Sequence, residues 1–113
     1  MCIRDRNQGV QHPLADSWMK LESANLMMLK AATLYDAGEP CGAEANAAKY
    51  LCGEAAYEAC SRAVMTYGGY GYAKEFHVER FLRESLLTRI VPVSPNLVLC
   101  YIAERVLDLP KSY

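Results

Sequence analysis

The sequence lacks a charge excess of either sign. Its 113 residues carry 12 lysines and arginines against 13 aspartates and glutamates, for a net charge of -1 and a pI of about 6.1. Proteins that bind phosphate backbones or anionic lipid surfaces need clustered cations in clear excess. We therefore expect no nucleic-acid partner and no role at a membrane surface.

Long apolar runs and paired cysteines are also lacking. The longest apolar tract, residues 90–103, is interrupted by two prolines, a serine and an asparagine, so we expect no membrane insertion. The five cysteines form no C-x-x-C motif, and most lie in apolar stretches, where a thiol behaves as a small hydrophobe. This usage favours a reducing compartment. The expected location is the cytoplasm, or the mitochondrial matrix if the source is eukaryotic.

Histidine is scarce, which weighs against metal and triad chemistry. The sequence contains only His12 and His77, and neither belongs to a Glu-x-x-His pair of the kind that di-iron bundles use. Neither histidine has an obvious orienting partner for a nucleophilic serine or cysteine. We expect no metal site and no nucleophilic triad.

The first six residues, MCIRDR, differ in pattern from the rest of the chain. We interpret residues 1–6 as a non-native adapter or linker scar and exclude them from fold reasoning. On this interpretation the chain is part of a longer protein, and residues 7–113 form its single domain.

The remaining sequence has helical periodicity. From Val10 onward, apolar residues recur at steps of three, four or seven, interrupted only by Asn25, and predict a long amphipathic helix; they are Leu14, Trp18, Leu21, Met28, Ala32 and Tyr35. Gly38 and Pro40 predict its end. An alanine-rich second helix follows from Gly42 to about Tyr67, with small side chains suited to the centre of a bundle.

Two shorter helices complete the predicted fold. One spans Val78 to Ile90, and the other opens with Ser94 as N-cap and Pro95 at the first helical position, and runs through Val106. No alternating pattern predicts a strand. The fold class is therefore all-α, an up-down four-helix bundle with short connections.

The cluster Gly68-Gly69-Tyr70-Gly71 has two interpretations. Glycines let backbone N–H groups approach a phosphate or flavin that a Cβ would block. The same cluster also fits a helix C-cap followed by a tight turn, which spacing alone favours. Arg80 and Arg83 likewise could hold an anion, but the neighbouring Glu79 and Glu84 favour ion pairs.

An ordered set of short motifs resembles the C-terminal helical domain of the acyl-CoA dehydrogenase family. The set consists of Asn7-Gln8 before Leu14-Ala-Asp16, Asp36-x-Gly38, Ala48-Lys49, Glu54-Ala-Ala56, Gly68-Gly69-x-Gly71 and Val78-Glu-Arg80-x-x-Arg83-Glu84. The resemblance covers Asn7 to Tyr113. It implies a flavoenzyme of three parts, an N-terminal helical domain, a middle β-domain and this bundle, assembled as a tetramer or dimer.

The resemblance also implies where FAD is contacted. Gln8 falls where a residue contacts the FAD of a neighbouring subunit, and Tyr67, Gly68 and Gly69 fall where backbone lies against the adenosine-diphosphate portion. Ser94 and Asn96 fall on Thr-x-Gln-like positions that also touch FAD. Glycine corners allow close approach, and a helix start such as Ser94 offers free N–H groups to anions.

One departure from the family concerns the catalytic base. Many members carry a glutamate followed by glycine after the arginine-acid motif, and this carboxylate removes the α-proton of the substrate as hydride leaves the β-carbon. Here the two positions are Pro92 and Val93, and proline has no titratable group. Two explanations remain: a base on an earlier helix, outside this chain, or loss of dehydrogenation with the scaffold retained. No catalytic residue is assigned within this chain.

Three functional hypotheses follow. The leading one is the C-terminal part of an FAD-dependent acyl-CoA dehydrogenase, with an acyl-CoA substrate, an electron-transfer acceptor and a homo-oligomeric assembly. The second is a non-catalytic helical assembly module with the same fold. The third is a free-standing small bundle, which would be a compact monomer.

Overall fold

The described residues, 3–111 of the computed structural model, form five helices and no strand. The helices are α1 (Gln8–Asp36), α2 (Gly42–Tyr67), α3 (Gly69–Tyr72), α4 (Val78–Ile90) and α5 (Pro95–Arg105), with 3₁₀ turns at Ile3–Arg6 and Lys74–Phe76. The all-α bundle predicted from the sequence is confirmed. Met1 and Cys2 lie outside the described residues, and the interpretation of residues 1–6 as a scar stays a prediction.

The helix ends follow local chemistry. Gly38 has φ 73°, as expected for the residue that ends α1, and the Ser94 side chain accepts a hydrogen bond from the Leu97 backbone N–H at 3.4 Å. α1 begins two residues earlier than predicted, because the Asn7 side chain caps it by accepting from the Gly9 N–H at 2.8 Å. α5 ends at Arg105, so Val106 lies just beyond it rather than within it.

Helix α2 is the central element of the bundle and contacts α1, α4 and α5. Its buried positions are small residues, among them Ala48, Gly53 and Ala55. A Cβ on Gly53 would lie 3.3 Å from the carbonyl oxygen of Thr88 on α4. Small side chains therefore let the neighbouring helices approach α2 closely, as the alanine-rich sequence predicts.

The apolar stripe of α1 does not face the bundle, which corrects the expectation for an amphipathic helix. Trp18 is 63% exposed and Tyr35 is 75% exposed. The residues of α1 that are buried are instead Ser17, Ala24 and Ala31, spaced seven apart on one side of the helix. Since α2 is also lined with alanine, two small-residue faces meet and the large side chains remain outside.

The molecule is elongated and exposes much surface. Its extents are 50 × 28 × 24 Å and its radius of gyration is 17.1 Å, against about 13 Å for a compact domain of this length. The accessible surface is 8317 Å², whereas a compact monomer of this mass exposes about 6,200 Å².

Within the described part of the chain, no helix alone is long and apolar enough to span a membrane. α4 and α5 meet that test only together, as a pair bent by 41°.

Candidate functional site

An open groove lies between the amino end of α1 and the carboxyl end of α2. Its volume is about 790 Å³, and its lining residues are Gly9, Val10, Pro13, Ser61, Arg62, Met65, Thr66, Tyr67, Gly68, Gly69 and Tyr70. Three of the residues predicted to contact FAD, Tyr67, Gly68 and Gly69, are therefore together in one groove. Gln8 directly precedes Gly9 at its edge.

Two of the glycines at this corner leave the backbone open. Gly68 ends α2 with φ 62°, a region that L side chains rarely adopt. A Cβ on Gly68 or on Gly69 would meet nothing within 4 Å. The chain then turns once more as α3 instead of stopping, so the corner is both the predicted cap and an exposed stretch of backbone.

Gly71 serves a different purpose, which is packing. A Cβ there would lie 2.9 Å from the Val64 Cα and 3.0 Å from the Val64 carbonyl carbon. The single turn of α3 therefore folds directly onto the end of α2, and only glycine fits between them. The rings of Tyr67 and Tyr70 lie 6.1 and 5.2 Å from that of Phe76 and pack the outside of the same corner.

Arg62 joins the two helices that form the groove. Its Nη1 donates to the Pro13 carbonyl at 2.8 Å, to Asp16 Oδ2 at 2.5 Å and to Ser17 Oγ at 3.1 Å. Its Nη2 donates to Glu58 Oε1 at 2.5 Å. Both terminal nitrogens of the guanidinium thus make hydrogen bonds, and those from Nη1 tie α2 to α1 at the wall of the groove.

Lys20 extends the same charge network along the α1–α2 interface. Its ammonium lies 2.8 Å from Glu58 Oε2 and 3.1 Å from Asp16 Oδ2. Hydrogen bonds from Arg62 and Lys20 hold the pKa of Asp16 below its ordinary value, and Glu58, followed by Asp16, raises the pKa of Lys20. Both groups are charged at neutral pH, and each charge has a partner of opposite sign.

Sequence reasoning missed this network, although a signal for it exists. Asp16 and Lys20 are four residues apart on α1, and Glu58 and Arg62 are four apart on α2, which is the spacing of helical ion pairs. On α4 that signal was used correctly. Arg80 pairs with Glu84 at 3.2 Å and Arg83 with Glu79 at 2.5 Å, as predicted.

Ser94 and Asn96 lie elsewhere in the fold and do not line this groove. They open α5, four residues after α4 ends. The Lys49 ammonium donates to the Thr88 carbonyl, so the end of α4 lies beside residues 49–53 of α2. That segment is at least 14 residues before Tyr67, about 21 Å along the helix axis. The residues predicted to contact FAD therefore form two groups.

Pro92 lines a second, largely apolar groove of about 430 Å³ between α2 and the end of α4. The lining residues are Lys49, Cys52, Gly53, Ala56, Leu87, Thr88, Val91 and Pro92, and the Val91–Pro92 peptide bond is cis. None of these residues is a carboxylic acid. Among residues 3–111, no group of three or more His, Cys, Asp or Glu side chains could hold a metal ion.

Comparison with known proteins gives the relationship of the chain. A family model described as acyl-CoA dehydrogenase, C-terminal domain, matches residues 5–107. Acyl-CoA dehydrogenase FadE12 of Mycobacterium tuberculosis is 45% identical over 109 residues, which are 95% of this chain and 28% of that protein. The mitochondrial short/branched chain specific acyl-CoA dehydrogenase of Rattus norvegicus is 37% identical over 99 residues, 88% of this chain and 23% of that protein.

Solved structures show the same fold. One, described as the electron transferring flavoprotein of Acidaminococcus fermentans, has a TM-score of 0.88 at 29% identity and covers 91% of this chain and 27% of that one. Another, described as the FAD complex of PigA, has a TM-score of 0.87 at 27% identity and covers 93% of this chain and 27% of that one.

The fold and these matches define the class: a helical bundle of the kind found in flavoprotein oxidoreductases. Because the family model covers residues 5–107 and the sequence relatives agree, the chain belongs to the acyl-CoA dehydrogenase family, whose C-terminal domain it matches. It spans about a quarter of the length of the relatives that it matches.

Proposed function

We propose that this chain is the C-terminal part of an FAD-dependent acyl-CoA dehydrogenase, which introduces an α,β double bond into an acyl-CoA thioester. The observation that supports this most directly is the open glycine corner inside the 790 Å³ groove, in a chain that belongs to this family. The chain would contribute FAD contacts and part of the subunit interface. The wider partners are an acyl-CoA substrate and an electron-transfer acceptor.

The corner fits the adenosine-diphosphate portion of FAD. The backbone at Gly68 and Gly69 faces open space where a Cβ would otherwise stand, and Tyr67 lies beside it. Gln8, at the edge of the groove, would contact the FAD of a neighbouring subunit, and Ser94 and Asn96 would contact FAD from their separate place at the start of α5. When bound, FAD supplies the flavin ring that accepts the hydride.

On this proposal, a group outside the groove at Pro92 removes the α-proton of the substrate. No lining residue of that groove is a carboxylic acid, and the position where many family members have glutamate is a proline. We therefore place the base upstream, in a part of the protein that this chain does not include. The alternative, a non-catalytic assembly module with the same fold, draws support from the large exposed apolar surface.

The first experiment is to purify the protein that contains this chain at full length and to measure bound flavin. A panel of acyl-CoA thioesters is then added without oxygen. Bleaching of the visible flavin band by a thioester is the expected result and requires a base despite Pro92. Bound flavin that no thioester bleaches would contradict dehydrogenation, and absence of flavin would favour the assembly module.

The Gly69→Ala variant tests the proposed FAD contact separately from the fold. A Cβ at Gly69 meets nothing within 4 Å in this chain, so we expect an unchanged free energy of unfolding. The same Cβ would stand where the adenosine-diphosphate portion approaches. We therefore expect the dissociation constant for FAD to rise at least about tenfold. FAD affinity equal to that of the wild type would contradict the contact.

A further inference from the structure

The groove beside the glycine corner, formed by Gly68 and Gly69, opens where the close packing of α1 on α2 ends. Ser17 is the first buried residue of α1, and none of residues 8–16 is buried. The α1 residues that line the groove all precede Ser17; they are Gly9, Val10 and Pro13. Core packing alone therefore does not fix the distance between the amino end of α1 and the carboxyl end of α2.

The amino end of α1 also has a gap in its own hydrogen bonding. Pro13 lies inside α1, and a proline has no N–H to donate to the carbonyl four residues earlier, which belongs to Gly9. The ring of a proline in a helix interior also clashes with that carbonyl and bends the helix. The direction of the first turns of α1 therefore depends on contacts from outside the helix.

Arg62 of α2 supplies such contacts. Its Nη1 donates to the Pro13 carbonyl at 2.8 Å and to Asp16 Oδ2 at 2.5 Å. Its Nη2 donates to Glu58 Oε1 at 2.5 Å, one turn earlier on α2. The planar guanidinium is therefore oriented on α2 by one nitrogen and holds α1 by the other. Arg62 and Pro13 both line the groove, so this link is part of its wall.

The charge of Arg62 is balanced within the chain. The cations Arg62 and Lys20 face the anions Asp16 and Glu58, at nitrogen–oxygen distances between 2.5 and 3.1 Å. Because two positive charges meet two negative ones, the cluster offers little net attraction to the phosphates of a dinucleotide. The contribution of Arg62 to the groove is therefore geometric.

We propose that Arg62 is a positioning residue for FAD: by tying Pro13 to α2, it sets the width of the groove that receives the adenosine-diphosphate portion at the glycine corner. The guanidinium acts through α1 rather than by contact with the cofactor. This inference rests on the FAD contact in the proposed function and adds to it a residue outside the glycine corner. Both ends of the link lie within this chain, whatever surface covers the outer faces of the bundle.

Arg62→Met tests this role in the full-length protein. The variant keeps a long side chain but loses the link, and we expect the dissociation constant for FAD to rise at least about tenfold. The matched control is Lys30→Met, which removes an ion pair to Glu44 between the same two helices. Lys30 lies about 25 Å along α1 from Pro13, so the constant should change by less than about twofold. An Arg62→Met protein with wild-type affinity for FAD would overturn the proposal.

Asp16→Ala separates positioning from a direct effect of charge, and it is the milder change if Arg62→Met disturbs the fold. Asp16 is held by Arg62 but does not line the groove. If Arg62 acts through α1, loss of Asp16 weakens the link, and we expect the dissociation constant for FAD to rise at least about threefold. If the charge of Arg62 instead attracts the phosphates of FAD, removal of a nearby anion would lower that constant. A constant that falls or stays unchanged would overturn the proposal.

The double variant shows whether Asp16 and Arg62 act as one unit. Because Asp16 acts through Arg62, Asp16→Ala should add little to the effect of Arg62→Met on the dissociation constant for FAD. Fully independent effects would contradict the link. Wild-type FAD affinity in every variant would contradict this inference alone, whereas a wild-type protein that holds no flavin would contradict the proposed function and this inference with it.

Discussion

At the residue scale, Arg62 does the most to hold the candidate site together. It is three-quarters buried, with 27% of its side chain exposed, and it reaches from α2 to three residues of α1. One of its acceptors, Ser17, is only 6% exposed. Because Ser17 has little access to water, removal of Arg62 takes away a hydrogen-bond partner that solvent cannot readily replace.

We predict that Arg62→Met lowers the free energy of unfolding by about 1–3 kcal/mol. The matched control is Arg83→Met, which removes an ion pair within one helix from a side chain that is 67% exposed and should cost about 0.5 kcal/mol or less. Urea denaturation of both variants measures the difference. Equal losses in the free energy of unfolding would show that the contacts of Arg62 contribute no more than an ordinary surface ion pair.

Asp16 gives a pH dependence of defined sign. Its pKa is lowered in the folded state, first by Arg62 and then by Lys20, so the unfolded chain binds the proton more tightly. This contribution to stability is present above the unfolded pKa of about 4 and is lost as pH falls through the lower folded pKa. Lys30 likewise lowers the pKa of Glu44, so this pair gives the stability a pH dependence of the same sign.

We expect the wild-type protein to lose more stability between pH 7 and acid pH than Asp16→Asn does, because the variant has no proton to take up at this position. Denaturant titrations at a series of pH values below about 5 measure the loss. Ser23→Asn, on the exposed side of the same helix, should retain the full wild-type dependence. If the free energies of unfolding of the wild type and Asp16→Asn fell by the same amount with pH below about 5, the prediction would be contradicted.

At the element scale, the sequence predicts where helices lie better than which side of them is buried. The bounds of α2 and α4 were predicted correctly, because glycine and proline act locally on the backbone: Gly68 ends α2, and Pro92 lies just after the end of α4. The buried face of α1 was not, since the apolar stripe through Trp18 is outside and the small residues through Ala24 are inside. A single chain cannot show which of its apolar faces a partner covers.

The candidate site was predicted in part. The corner at Gly68 and Gly69 lines a groove, because a glycine cluster at a helix end has a direct effect on local backbone. Ser94 and Asn96 lie at another place in the fold. Their motif predicts the start of a helix but does not predict how far that helix lies from the groove. The link that Arg62 makes between two helices was not predicted, because its three partners on α1 lie more than 40 residues earlier and are set by the way α1 packs on α2.

The turn formed by α3 depends on Gly71, and we predict that Gly71→Ala destabilises the fold by about 1–3 kcal/mol. The added Cβ would meet the backbone of Val64, so the corner must move away from the end of α2. Gly69→Ala is the control, because its Cβ faces open space and alanine suits a helix. Denaturation curves in which the two variants coincide would contradict this role for Gly71.

At the scale of the whole molecule, the main feature is a small core beneath a large apolar surface. Among residues 5–111, the buried apolar residues are Ala24, Ala31, Ala48, Ala55, Val78 and Val98, and four of these six are alanine. Burial of an alanine contributes much less than burial of a leucine or phenylalanine. The larger side chains, including Leu14 and Trp18 of the apolar stripe on α1, would contribute only when another surface covers them.

We therefore predict that the stability of the isolated 113-residue chain depends on its concentration. If copies associate through their exposed faces, mass action stabilises the folded state, and the melting temperature rises with chain concentration. Melting followed by circular dichroism, over a hundredfold range of concentration, measures the effect; in Trp18→Glu the rise should be smaller. A sharp melt at one temperature across that range, together with a 12.6 kDa monomer in sedimentation, would instead identify a free-standing bundle whose alanine core suffices on its own.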